Sequence, residues 1–93
     1  MATFKDIAQE ITDLHERKDA DYGNAFGKSY SKFEGYRIGA GLEYAVGRMS
    51  DKMERISNLA FNGNSRVSDE SIDDTLLDLA AYAIMTVVER RRK

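Results

Sequence analysis

Arg48, Asp51, Lys52 and Arg55 stand at i, i+3, i+4 and i+7 of one segment. On a helix, at about 100° per residue, they share one flank. Arginine forks and lysine ammoniums on such a flank can converge on a polyphosphate. The alternative is a solvated face, where Asp51–Arg55 is an i,i+4 pair contributing about 0.3–0.5 kcal/mol. A second polar set, Asp74, Asp78 and Tyr82, recurs at i, i+4 and i+8 in a segment that is otherwise apolar almost all round. A carboxylate inside such a helix is costly to bury alone, so Asp78 needs Arg48, Lys52, Arg55 or a divalent metal beside it. Asp74 has a simpler account, since Ser71-x-x-Asp74 reads as a capping box. Carboxylates one helical turn apart, joined by one from a facing helix, suit Mg²⁺, which takes oxygen ligands and keeps substrate phosphates. Asp51, Asp74 and Asp78 are therefore the expected metal set, and Arg48, Lys52 and Arg55 the expected phosphate set.

Three helical segments must position these groups. The first runs from about Phe4 to Asp19, with Phe4, Ile7, Ala8, Ile11 and Leu14 at helical spacing and Thr3 with Asp6 as a weak capping box. His15 and Lys18 continue its apolar stripe and should point inward. The second runs from about Gly41 to Ala60 on the stripe Leu42, Ala45, Val46, Met49, Met53, Ile56 and Ala60, and Gly63 is its expected stop. The third starts near Ser68 or Ser71 and reaches the C-terminus. Asp69, Glu70, Asp73 and Asp74 crowd its start and Arg90–Lys93 its end, both favourable to the helix dipole. Between the first two, Asp21 to about Arg37 mixes turn formers with aromatics and reads as a long connection with one helical turn. Its Tyr22, Phe26, Tyr30, Phe33 and Tyr36 can cover a base, or pack as ordinary core and lid. The expectation is an all-α fold: a small bundle of three main helices in one domain over residues 1–93, completed by oligomerisation.

Composition narrows the class. The chain has 93 residues, too few for two domains. It has no cysteine, which removes disulfides, thiolate zinc and a cysteine nucleophile. A single histidine, His15, forbids a multi-histidine centre within one chain. Net charge is −2 with charged residues of both signs at 32%, so bulk duplex-DNA binding is not expected. The weakly charged stretch from Thr75 to Glu89 is too short and too polar to span a bilayer, and residues 1–6 have no signal-peptide pattern. A cytoplasmic protein is expected.

Three segments carry a resemblance: Lys18-Asp19-Ala20-Asp21-Tyr22-Gly23 with Phe26, Arg48-Met49-Ser50-Asp51-Lys52-Met53-Glu54-Arg55, and Asp73-Asp74-Thr75-Leu76-Leu77-Asp78-Leu79-Ala80-Ala81-Tyr82-Ala83. Together, from about Glu16 to Arg91, they resemble the nucleotide-modification-associated domain family, small proteins frequent in phages and prophages. That family is similar to the all-α nucleoside triphosphate pyrophosphohydrolases of the MazG and dimeric dUTPase type. The resemblance implies Mg²⁺, a nucleotide cleaved between its α and β phosphates, and assembly as a dimer or tetramer. The pattern departs from those enzymes: helix two lacks a doubled glutamate, and helix three carries Asp74-x-x-x-Asp78 in place of Glu-x-x-Asp.

The first reading is thus an Mg²⁺-dependent pyrophosphohydrolase-like protein acting on a (modified) nucleotide. Asp51, Asp74 and Asp78 would hold metal; Arg48, Lys52 and Arg55 would hold phosphates; Lys18, Tyr22 and Tyr82 would complete the nucleotide site. The second is a non-catalytic binder that sequesters a signalling nucleotide, which the thin acidic set favours. The third is a phage interaction module whose polar stripe is only an interhelical salt-bridge network.

Overall fold

The computed structural model describes residues 1–61 and 69–92, with residues 69 and 70 in their backbone only. Among them are four α-helices and no strand: α1 (Phe4–Tyr22), α2 (Ala25–Tyr36), α3 (Ala40–Phe61) and α4 (Asp69–Arg91). The all-α class is as expected, and four helices replace three. The expected stop at Gly63, a cap at Ser68, the acidic side chains of Asp69 and Glu70, and Lys93 lie outside the described residues.

The start of α1 is the capping box read from sequence. Thr3 Oγ1 accepts from the Asp6 amide at 3.2 Å, and the Thr3 amide donates to the Asp6 carboxylate at 3.1 Å. The helix runs past Asp19 to Tyr22 and closes on Gly23, whose φ of 61° is the left-handed conformation glycine accepts without strain.

The segment read as a long connection is mostly helix. Asn24, itself left-handed at φ 55°, turns the chain, and its side chain accepts from the Gly27 amide at 3.2 Å to cap α2. The Asn24 amide donates to Asp19 Oδ1 at 3.0 Å, tying the end of α1 to the start of α2. Once that cap is in place, Phe26, Tyr30 and Phe33 fall at i, i+4 and i+7 on one face. Tertiary packing of that face then overrides the poor helix propensity of Gly27 and Gly35. The other expectation to be corrected is the capping box at Ser71. Ser71 lies inside α4, where its carbonyl accepts from Thr75 Oγ1 at 2.9 Å, so Asp74 is not an N-terminal cap residue.

Glu34 shapes the corner between α2 and α3. Both its carboxylate oxygens accept from the Gly39 amide at 3.1 Å, and Oε1 also accepts from the Gly41 amide at 3.0 Å. These donors are orphans at the start of α3, so the carboxylate acts as a cap supplied from the preceding helix. The Gly39 amide first, then the Gly41 amide, hold the Glu34 carboxyl below its ordinary value near 4.5.

α3 packs along α4 and α2 along α3, while α1 rests on α4. The buried apolar side chains among the described residues are Phe26, Tyr30 and Ala45. Phe26 is the junction: its ring lies 6.2 Å from Tyr30, 5.7 Å from Tyr44 and 5.6 Å from Tyr82, joining α2, α3 and α4. Phe33 stacks on Tyr44 at 5.1 Å. Tyr30 reaches α3 because Gly41 has no side chain; a Cβ there would lie 2.7 Å from the ring. The radius of gyration is 14.8 Å, against about 12 Å for a compact domain of this length. The chain is elongated around a thin core.

Two expectations follow from this packing. Gly41→Ala should destabilise the protein by about 1–3 kcal/mol in urea unfolding, through overpacking against Tyr30. Gly47→Ala, with open space at its Cβ, should stabilise it by roughly 0.4–1 kcal/mol. Equal effects would show that Gly41 does not set the α2–α3 approach. For Glu34, the depressed carboxyl makes its contribution complete above about pH 4.5 and lost as pH falls through the lower folded value. Glu34→Ala should therefore melt below the wild type near pH 7, with a gap in circular-dichroism melts that narrows as pH falls below about 4.5.

Candidate functional site

On α3, Arg55, Lys52 and Arg48 meet Thr75, Asp78 and Tyr82 of α4 in reverse order, because the two helices are antiparallel. Arg55 Nε donates to Thr75 Oγ1 at 3.2 Å, Lys52 Nζ lies 3.3 Å from Asp78 Oδ2, and Arg48 Nη2 donates to the Tyr82 hydroxyl at 3.0 Å. The end of α1 adds Lys18, whose Nζ is 3.1 Å from the other oxygen, Asp78 Oδ1. Asp78 thus sits between two ammoniums from two helices. Arg48 and Lys52 also lie over the Tyr82 ring, at 5.4 and 5.9 Å from its centroid. The bond to the Tyr82 hydroxyl is the main reason the Arg48 guanidinium is held above its ordinary value.

This seam is half buried. Lys52 and Asp78 side chains are 24% and 28% exposed, whereas Lys18 is 54% exposed. The Lys18–Asp78 bridge is therefore worth at most about 1 kcal/mol in water, and a competing anion can reach its ammonium.

Beside the seam lies a groove of about 180 Å³ at the α1–α2 corner, lined by Lys18, Asp19, Tyr22, Asn24, Phe26, Tyr82 and Met85 among others. Its floor is aromatic and apolar. Its rim carries an ammonium, a carboxylate and an amide. Lys18 belongs to both the groove and the seam.

The structure thus brings together Lys18, Arg48, Lys52, Arg55, Asp78 and Tyr82, with Tyr22 at the groove. It does not bring the three expected metal ligands together within one chain. Asp51 is exposed on the outer side of α3, its carboxylate 4.0 Å from Arg48. Asp74 is exposed and lines a different cleft, of about 600 Å³, with Glu10 and Asp73 toward α1. Asp78 is committed to two lysines. Among the described residues no group of three carboxylates or imidazoles converges as metal ligation requires. A single-chain Mg²⁺ site on Asp51, Asp74 and Asp78 does not fit this donor geometry. The cause is helical phase: Asp74 lies on the α1 side of α4, and Thr75 takes the place facing Arg55.

Of the aromatics read as a cover for a base, Phe26 and Tyr30 are core, and Phe33 stacks within the same cluster. Tyr22 is free to cover a ligand, at 73% exposed. Tyr36 packs edge-on against Phe33. His15 is half buried in the apolar groove between α1 and α4, against Met85 and Val88. At the C-terminal end Arg90 and Arg91 are exposed, and Arg92 pairs with Glu89 at 2.9 Å.

Sequence reasoning missed Thr75, Tyr44, Asp19 and Asn24. Thr75 carried a readable signal, since Thr75, Asp78, Tyr82 and Thr86 form a polar line at steps of three and four on an apolar helix. Nothing in the spacing marked Asn24 as a helix cap in a left-handed turn.

No helix among the described residues is long and apolar enough to cross a membrane. No curated protein and no solved structure matches the chain. The model of the family described as nucleotide modification associated domain 1 does match, over residues 18–89. That span contains all the seam residues and the whole rim of the groove. The chain belongs to the nucleotide modification associated domain 1 family.

Proposed function

We propose that this domain binds a nucleotide at the α1–α3–α4 seam, phosphates on Lys18, Lys52 and Arg48 and base in the groove beside Tyr22. The observation that carries the reading is the double role of Lys18, which lines the aromatic groove and pairs with Asp78 next to Lys52. A ligand with an apolar planar part and an anionic part, joined over a few ångströms, suits that arrangement. Arg55, one turn from Lys52, extends the cationic line for a longer phosphate chain. The reading is binding rather than hydrolysis, because the carboxylates needed to hold Mg²⁺ point to different faces of the chain.

Calorimetric titration with a panel of nucleoside mono-, di- and triphosphates tests it. Lys52→Ala should weaken the best ligand about tenfold or more, the usual weight of one charge-assisted hydrogen bond. Arg91→Ala, on the exposed end of α4, is the control and should change little. Equal affinity for all three proteins would leave the seam as a salt-bridge network only. Release of monophosphate and pyrophosphate on incubation with Mg²⁺ would instead establish the pyrophosphohydrolase that the motifs resemble.

Assembly belongs to the same proposal. Leu42, Val46, Met49, Met53, Ile56 and Ala60 recur along α3 at steps of four and three, as do Leu76, Ala80, Ala83 and Val87 along α4. Each stripe lies one residue onward from the line by which the helix meets its neighbour. In an antiparallel pair that offset puts both stripes on the same side. Val46, Met53, Leu76 and Val87 are each about half exposed there. A second copy of this chain, presenting the same two-helix face, would close a four-helix bundle and supply the core that one copy lacks. Light scattering at micromolar concentration should show a dimer or tetramer, and Val46→Glu with Met53→Glu should dissociate it. A wild-type monomer would sink the proposal.

A further inference from the structure

Glu89 is a buried carboxylate that the phosphate seam does not use. Its side chain is 5% exposed, and it stands in the last turn of α4, where the helix dipole disfavours negative charge. A buried acid at that end of a helix costs stability twice, by desolvation and by the dipole. Arg92 Nε donates to Glu89 Oε2 at 2.9 Å, from a side chain that is 59% exposed and screened by solvent. A carboxylate has about four acceptor sites and a guanidinium five N–H donors, so this one bond leaves both groups with capacity for a ligand.

Glu89 and Arg92 lie in a groove of about 110 Å³ whose other polar lining is His15, Asp19 and Asn24. Asp19, Asn24 and Met85 also line the groove beside Tyr22, so the two grooves adjoin. At the junction the Asp19 carboxylate accepts from the Asn24 amide and adds acceptor oxygen to the polar end. From Asp78 to Glu89, α4 rises ~16 Å at about 1.5 Å per residue. A nucleoside di- or triphosphate with its phosphates on Lys18 and Lys52 spans that distance. The edge of its base then reaches Glu89.

The pair presents two acceptor oxygens of one carboxylate with a guanidinium donor beside them. The Watson–Crick edge of guanine is the complement: neighbouring N–H donors at N2 and N1, then the acceptor O6. Adenine has one donor there next to an acceptor, cytosine one donor before two acceptors, and uracil or thymine one donor between two. Each of those leaves one carboxylate oxygen without a donor or against a base acceptor, a costly contact at a buried group. Resting on the nucleotide-binding reading, we infer that Glu89 and Arg92 form the base-recognition end of the site and that the base is guanine. Glu89 accepts from N1–H and N2–H, and Arg92 donates to O6. The ligand class is a guanine nucleoside di- or triphosphate.

Calorimetric titration with guanosine, inosine and adenosine diphosphates, and with inorganic pyrophosphate, tests this. Inosine keeps N1–H and O6 and lacks only the N2 amino group. The wild type should bind guanosine diphosphate about tenfold or more tighter than adenosine diphosphate, with inosine diphosphate between them. A wild type without that preference overturns the inference, whatever any variant does. Glu89→Gln replaces one acceptor with a donor, the pattern that suits adenine. It should cut the preference for guanosine diphosphate below about threefold or reverse it. An unchanged preference in Glu89→Gln overturns the inference.

Pyrophosphate carries no base, so its affinity separates base recognition from folding. If Glu89→Gln loses pyrophosphate and all three nucleotides by one common factor, Glu89 serves the fold and the inference is overturned. Failure of the base role is distinct from failure of the phosphate site. If the wild type binds pyrophosphate, and binds the nucleotides without regard to base, the phosphate site stands and the guanine role falls. If the wild type binds neither pyrophosphate nor any of the nucleotides, both fall.

Discussion

The ring of Tyr82 meets Phe26 at 5.6 Å and also lies beneath Arg48 at 5.4 Å, with its hydroxyl accepting from the same guanidinium. Through Phe26 it is fixed to α2 and to Tyr44 of α3; through Arg48 it is fixed to the polar seam. The rest of the arrangement is spaced from that contact. Asp78 lies one turn back along α4 and meets Lys52, and Thr75 lies about one turn further and meets Arg55. A residue that is part core and part site ties the geometry of the cations to packing. The long, rotamer-rich side chains of Arg48 and Lys52 are held over a ring that cannot itself move without breaking the aromatic cluster.

The sequence was legible where one signal dominated. The apolar stripe from Leu42 to Ala60 is long and regular, and α3 runs from Ala40 to Phe61. Thr3 and Asp6 are the capping box they spell. The cationic flank of α3 and the need of Asp78 for a cation were both readable, because a carboxylate on an apolar helix requires a partner. α2 was not legible. Gly23, Asn24, Gly27 and Gly35 read as loop, and only the cap Asn24 forms with Gly27, plus burial of Phe26 and Tyr30, turns that composition into helix. Asp74 illustrates the limit of spacing. Steps of four drift around a helix by about 40° each, so Asp74, Asp78 and Tyr82 do not keep to one line, and Thr75 faces α3 instead.

The thin core and the polar seam are linked. Between α3 and α4, where a small bundle ordinarily places leucine and isoleucine, this chain places Arg48, Lys52, Arg55, Thr75, Asp78 and Tyr82. That substitution costs hydrophobic burial, which contributes about 25 cal/mol per Å² of apolar surface. Val46 and Met53 of α3 and Leu76 and Val87 of α4 lie on the adjoining face, each about half exposed. A bundle that devotes one interhelical seam to charged groups has to find its core elsewhere, and the shifted stripes are the surface available for it.

The seam also explains why three cations can be stored so close together. Lys18 and Lys52 converge from two helices on Asp78, and Arg48 lies over the Tyr82 ring with the Asp51 carboxylate 4.0 Å away. Partial burial lowers the local dielectric and strengthens both the repulsion among the cations and their attraction to an anion. Asp78 offsets part of the repulsion, and Tyr82 adds the negative face of its ring. The result is a set of paired cations at the lip of an aromatic groove, held in place by backbone and packing. A site built this way loses little side-chain freedom on binding, since Lys52 and Arg48 are ordered beforehand by Asp78 and Tyr82.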